Sequence, residues 1–240
     1  MPTLNWIGKE AVVNHDKEVP FRLLKKVKSL SVGDNSQNLI IHGDNLEALK
    51  ALMPYYQGKI KCIYIDPPYN TGNEGWVYND KVNSPKIKKW LGKVVGGEAE
   101  DLCRHDKWLC MMYPRLKLLK DLLSEDGVIF VSLDDNENFN FKIVLDEMFG
   151  ENNYIGTIIW QTATDNNPTQ IAIEHEYVLV YSKDITQQPK WFGKSEGARL
   201  IQTQYETLRE KHNSDVKSIQ KELRKWMKEN ETLLRGVEHY

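Results

Sequence analysis

Lys59-Ile60-Lys61-Cys62-Ile63-Tyr64-Ile65-Asp66-Pro67-Pro68-Tyr69 decides how this chain is read. The run from Ile60 to Ile65 has the length and β-branched content of a buried strand, and two prolines end it. Upstream, Asn38-Leu39-Ile40-Ile41-His42 reads as another strand and Gly43-Asp44-Asn45 as a turn with a helix cap. Leu46 to Met53 then reads as a helix with Leu46, Leu49 and Met53 on one face, closed by Pro54. Strand, helix and strand in succession predict an α/β fold with a parallel sheet.

In such sheets ligands bind beyond the carboxyl ends of the strands. Three acidic turns occupy such ends: Asp44, Asp66 and the pair Asp134-Asp135. Asp66 stands out because two prolines and a tyrosine come directly after it. An amino nitrogen on an aromatic base is a poor nucleophile, since its lone pair is delocalised into the ring. The Asp66 carboxylate and the Pro67 carbonyl could accept its two hydrogens and offset the charge that develops during attack. Pro68 would stiffen the loop, and Tyr69 would offer a ring for stacking, worth ~1–3 kcal/mol in comparable base–aromatic pairs. These are the needs of an enzyme that methylates an amino nitrogen on a base drawn out of a duplex. The same four residues also suit a plain proline-rich turn with a cap aspartate. Asp44 either accepts hydrogen bonds from the adenine of a nucleoside cofactor or caps the helix from Asn45. Asp134-Asp135 reads as a cap, and His175 as a structural residue at a strand end. No Ser-His-Asp order, zinc spacing or Walker loop is present.

The remaining elements extend the α/β pattern. An amphipathic helix is expected around Phe21–Val27 within a mixed segment, 1–37. A long connection runs from Asn70 to about Arg104, a length usual for functional loops. Asp106 to Leu123 reads as a helix ended by Ser124-Glu125-Asp126-Gly127, and Val128–Leu133 as a third buried strand. A helix capped by Asp134–Glu137 runs to Phe149, with Gly150 as its stop. Tyr154–Trp160 and Glu176–Ser182 predict a hairpin across the polar insert Asp165–Pro168. Beyond Asp184 the chain becomes highly charged and helix-prone, with Val216, Ile219, Leu223 and Trp226 forming an apolar packing stripe.

Composition narrows the class. Of 240 residues, 40% are hydrophobic and 28% charged, as in soluble globular proteins. No apolar run approaches the roughly 18 residues that span a bilayer, and the start lacks the pattern of a signal peptide. Cys62, Cys103 and Cys110 are expected to be reduced thiols of a cytoplasmic protein. Cys103 and Cys110 lie near His105, but no fourth ligand has zinc spacing, so no metal is expected. The net charge of −2 gives no global basic footprint. Local patches at Lys25, Lys26 and Lys28, at Lys86, Lys88, Lys89 and Lys93, and at Lys190, Lys194 and Arg199 read equally well as solvated faces.

Ile41-His42-Gly43-Asp44-Asn45-Leu46-Glu47-Ala48-Leu49 and Ile63–Gly72 together resemble adenine-N6 DNA methyltransferases of the permuted beta class, above all the modification subunit of type III restriction–modification systems. The similarity continues through Arg104-His105-Asp106-Lys107-Trp108-Leu109, Gly127–Glu137 and Glu174–Tyr181, and covers nearly the whole chain. It implies a Rossmann-like class I methyltransferase fold, circularly permuted, with S-adenosylmethionine as methyl donor. Asp66, Pro67, Pro68 and Tyr69 would be catalytic, and Asp44 and Asp66 would contact the cofactor. Double-stranded DNA, a second modification subunit and a restriction subunit would be the partners, with no membrane involved. Residues 38–184 would then belong to the catalytic domain and 185–240 to the helical start of the target-recognition region, after an N-terminal extension at 1–37. The aspartate before the prolines favours adenine over cytosine N4. The Phe-x-Gly-x-Gly segment that wraps the cofactor in this family is not found, nor are the two central strands that the family's sheet carries between the Leu39 strand and the Ile63 strand. The fold is therefore expected to be incomplete, with low or no activity alone, the alternative being a non-catalytic DNA-binding or assembly chain.

Overall fold

The computed structural model describes residues 3–33, 36–71, 89, 92–93, 104–161, 170–192 and 195–234. It divides into two units, Met1–Gln188 and Pro189–Tyr240.

The first unit is built on a mixed four-stranded sheet. β1 (Ile60–Ile65) pairs in parallel with β2 (Leu123–Leu133), β2 pairs antiparallel with β4 (His175–Ser182), and β4 pairs antiparallel with β3 (Tyr154–Gln161). The spatial order β1-β2-β4-β3 leaves β1 at one edge among the described residues. A parallel neighbour cannot be reached by a tight turn. The chain crosses from β1 to β2 through the long connection and a helix, α4 (Arg104–Leu122). Along α4 Trp108 and the residues from Leu109 to Pro114 are buried, as are Leu116, Leu118, Leu119 and Leu122, so this helix is covered nearly all round. Two short helices, α1 (Lys9–Val12) and α2 (His15–Glu18), and the longer α3 (Asn45–Tyr56) pack against α4, while α5 (Asn138–Phe149) packs against α4 and β4. Trp6, Val12 and Val19 thereby join the same core as Trp108, Leu116, Ile129 and Phe141. No helix among the described residues is long and apolar enough to cross a membrane.

Between α4 and the regular part of β2 the backbone turns through Ser124–Gly127 without leaving the ladder, and the register with β1 shifts there. Gly127 makes that turn possible. A Cβ on it would lie 2.7 Å from the Ile60 carbonyl oxygen and 2.8 Å from that of Ser124. At the far end of α5, Gly150 has a φ of 92° and stops the helix as expected. The hairpin β3–β4 also forms as expected, being a local pairing of two β-prone runs.

Four expectations fail. Asn38–His42 forms no strand: it pairs with nothing in the described sheet, and Leu39 and Ile40 are 61% and 101% exposed. A strand gains from its ladder, and without a partner its backbone groups are satisfied equally well by water. β1 is not fully buried either. Only Ile63 is enclosed, and Cys62 is exposed, because one face of this edge strand has no covering layer. Phe21–Val27 is not helical. Seven residues are too few to pay for helix nucleation without a packed face, and the segment lies open instead, with Arg22 bonded to Glu47 and the Phe21 ring beside the Lys50 ammonium. Pro54 does not close α3, which continues to Tyr56. So near the end of a helix, proline forfeits little of the ladder. Cys103, Lys86, Lys88, Lys194 and the insert Asp165–Pro168 lie outside the described residues.

The second unit is a helical hairpin. α6 (Glu196–Lys211) and α7 (Val216–Glu229) pack on each other and on a 3-10 turn, Glu231–Leu234. The Ser195 and Asp215 side chains cap the two helices. Leu208, Ile219 and Leu234 are buried. Of the expected apolar stripe of α7, Ile219 is buried, Leu223 and Trp226 are half-buried, and Val216 is 73% exposed, so the stripe is a packing face only from Ile219 onward.

Candidate functional site

β1 delivers Asp66 to the carboxyl end of the sheet, and the loop Asp66–Thr71 leaves from there. The Asp66 side chain is exposed, Pro67 and Asn70 are buried, and Pro68 and Tyr69 are half-buried. Three elements distant in sequence hold this loop.

The first is α4. The indole Nε1 of Trp108 donates to the Pro68 carbonyl at 2.6 Å, and the indole itself is fully buried, edge-on to Phe141 with ring centroids 4.9 Å apart. The second is the start of α5. Asn70 has a φ of 59°, in the left-handed region where asparagine is among the few side chains tolerated. Its Nδ2 donates to Glu137 Oε1 and, at 3.3 Å, to the Arg104 carbonyl. Glu137 is fully buried, and the same Oε1 lies 2.7 Å from His105 Nδ1. One carboxylate oxygen thus gathers the loop, α4 and α5. The third is the start of β4. Glu176 Oε2 accepts from the Tyr69 hydroxyl at 3.0 Å. The phenol of Tyr69 is pushed far above its ordinary value, first by burial and then by the neighbouring Asp66 and Glu176 carboxylates. A phenol so held is no base at neutral pH. What Tyr69 offers is its ring.

The two adjacent carbonyls are therefore distinguished. That of Pro68 is occupied by Trp108. Asp66 and the Pro67 carbonyl remain as acceptors beside a tethered aromatic ring, an arrangement suited to a flat ligand carrying an amino group.

Asp44 has a different setting. Its Oδ1 accepts from the Leu46 and Glu47 amides at 3.0 and 3.2 Å, capping α3, and its Oδ2 lies 3.8 Å from Arg115 Nη2. It engages none of the loop residues. Of the two roles open to Asp44, the cap is the one the structure displays. Asp134 Oδ1 accepts from the Asn136 amide, and Asp135 Oδ1 accepts from the Tyr177 hydroxyl, which also meets His175 Nε2 at 2.9 Å. Glu137, which reads in the sequence as part of a cap with these aspartates, is instead the buried anchor. Asn70, His105, Trp108 and Glu176 all lie in the runs that carry the family resemblance, but the sequence assigns none of them a role at the site.

A family described as DNA methylase matches residues 60–236. The chain belongs to this family. Over 252 aligned residues it is 37% identical to the type III restriction-modification enzyme EcoP15I Mod subunit of Escherichia coli, covering 99% of this chain and 39% of that protein. It is 38% identical to the EcoPI Mod subunit of Escherichia phage P1 (76% of this chain, 30% of that protein) and 39% identical to the StyLTI Mod subunit of Salmonella typhimurium (65% and 25%). The chain spans about two fifths or less of the length of these DNA methylase relatives.

Proposed function

We propose that this DNA methylase chain carries the base-binding half of an adenine-N6 DNA methyltransferase, with S-adenosylmethionine as the methyl donor and a flipped adenine in double-stranded DNA as the acceptor. The observation that carries the reading is the division of labour in the Asp66–Tyr69 loop. Trp108 takes the Pro68 carbonyl, which leaves Asp66 and the Pro67 carbonyl to accept the two hydrogens of the amino group. Those bonds favour a tetrahedral nitrogen whose lone pair is released from the ring, and they grow stronger as positive charge develops on it. Pro67 and Pro68 fix the loop, and the Tyr69 ring, tethered by Glu176, stacks on the base.

The described residues fit the cofactor only in part. Asp44 offers a carboxylate at the start of α3, but one oxygen is spent on the cap, and a Cβ on Gly43 would meet nothing within 4 Å, so that glycine makes no close cradle. These facts favour a second reading, in which the chain is a non-catalytic DNA-binding or assembly partner. In the first reading the fold is that of a Rossmann-like class I methyltransferase, circularly permuted and incomplete in the described sheet, and the chain works with a second modification subunit and a restriction subunit.

Methyl-labelled S-adenosylmethionine and duplex DNA, followed by digestion to nucleosides, test the proposal. Little transfer is expected from the chain alone, and calorimetry should find weak cofactor binding or none. With a polypeptide carrying the family's glycine segment added, label should enter N6-methyldeoxyadenosine. Label in N4-methylcytosine would reassign the base. No transfer under any supplementation would leave the non-catalytic reading.

A further inference from the structure

We propose that the cation-lined face of α7 is a docking surface for the phosphate backbone of duplex DNA. Lys217, Lys221, Arg224, Lys225 and Lys228 are the five basic residues of this helix, and all are exposed. At 3.6 residues per turn they fall within an arc of about 100°. The stripe runs about 16 Å along the helix. Among the described residues only Lys225 has a carboxylate within 4.0 Å, that of Glu229 at 3.8 Å, with both side chains open to solvent. The helix's other acid, Glu222, is drawn toward α6 by Lys211 at 2.8 Å. Glu222 is thus turned away from the basic residues, which form a face of one sign.

A surface serving solubility alone intersperses both signs. A single-signed stripe on a rigid helix is the footprint of a polyanion. Duplex DNA presents one negative charge per ~1.7 Å of axis, so a stripe of this length lies beside on the order of ten phosphates, more than its cations can neutralise. An anionic membrane fits less well. A helix lying on a bilayer needs its apolar face free, and most of the apolar face of α7 is spent on α6 and the following turn, with Ile219 only 4% exposed and Val216 at its first turn left open. Contacts of this kind position a protein on DNA without reading its sequence. The choice of DNA among polyanions rests on the methyltransferase reading above.

The test uses the 240-residue chain and a fluorescent duplex of arbitrary sequence, titrated at several salt concentrations. In one variant Lys221→Glu, Arg224→Glu and Lys228→Glu are combined. In a control, Lys25→Glu, Lys26→Glu and Lys28→Glu make the same charge change at exposed positions elsewhere. Loss of three phosphate contacts should lower the slope of log K against log salt by about 2–3 and weaken low-salt binding at least about tenfold. The control should lose far less. The glutamine counterparts at 221, 224 and 228, which keep helix propensity and remove charge, should repeat the effect with unchanged helical circular dichroism. Equal losses in both triples, no duplex binding by the unaltered chain at low salt, or tighter binding to phosphatidylserine vesicles than to DNA would each overturn the proposal. Binding through α7 without any methyl transfer would leave it standing while sinking the catalytic reading. Transfer with DNA binding indifferent to these substitutions would do the reverse.

Discussion

A hydrogen bond from one buried indole occupies the Pro68 carbonyl of the Asp66–Tyr69 loop. Replacing Trp108 by Phe keeps most of the ring's packing but strips the donor from the Pro68 carbonyl. Leaving a half-buried acceptor unpaired costs about 1–3 kcal/mol, so urea unfolding should show a loss in that range, and any methyl transfer by the complemented chain should fall with it. Unchanged stability would mean that water replaces the indole and that the loop is held elsewhere. Asn70→Gly asks a different question, because glycine accepts the φ of 59° and removes only the amide. Glu137 would keep His105 and lose its other donor, at a cost of about 1–3 kcal/mol. A variant as stable as the parent would remove Asn70 from the anchor. Tyr69 adds a pH signature. Its phenol is raised in the folded chain above the ordinary value of 10.0, so the folded state keeps a proton that the unfolded chain sheds. That contribution is complete below about pH 10 and is lost as the pH climbs past it. Between about pH 9 and about pH 11 the urea midpoint of the parent should fall more steeply than that of Tyr69→Phe. Parallel curves would show that Tyr69 titrates normally. The acid, prolines and tyrosine could be found in the sequence because they are contiguous. Their holders could not, since Trp108 lies 40 residues from Pro68, and Glu176 lies 107 from Tyr69.

Elements were legible where local chemistry suffices to define them. The hairpin β3–β4 and the stop at Gly150 needed only β-prone runs and one glycine. Asn38–His42 and Phe21–Val27 carried the right residue types, yet each depends on a partner surface that no local pattern reveals. The junction between α4 and β2 is a third case. Ser124–Gly127 reads as an ordinary helix-ending turn, whereas the structure runs it alongside β1 with a shifted register. Close backbone approach is the reason glycine stands at 127. Gly127→Ala would place a Cβ 2.7 Å from the Ile60 carbonyl oxygen, and relief requires the two strands to part. The expected cost is about 1–3 kcal/mol, as for other overpacked sites, together with faster amide exchange in β1. Gly156→Ala on β3, whose added Cβ would meet nothing within 4 Å, is the matched control and should be close to neutral. Equal stability of the two variants would contradict the close approach.

At the scale of the whole first unit, the open edge of β1 and the apolar segments around it belong together. Among the described residues β1 has a strand on one side only, Tyr64 on its uncovered face is 62% exposed, and Leu23, Leu30, Val32 and Ile40 all stand in solvent. Unpaired strand edges and contiguous apolar surface both promote association. An exposed apolar strand edge follows from the incomplete fold that the family resemblance implies, whereas the exposure of Leu23 and Ile40, expected in a helix and a strand, depends on which neighbours are in place. The chain should therefore self-associate as its concentration rises, through contacts that Leu23→Lys and Ile40→Lys weaken. Both side chains are at least 97% exposed, so the double variant gives up no buried area, and its unfolding free energy should stay within about 0.5 kcal/mol of the parent. Sedimentation velocity over a concentration series separates the possibilities. A variant that associates as strongly as the parent would show that the open edge is not the sticky surface. A variant that stays monomeric but unfolds more easily would show that Leu23 or Ile40 is buried in solution, with the segments from Phe21 to His42 folded back onto the sheet.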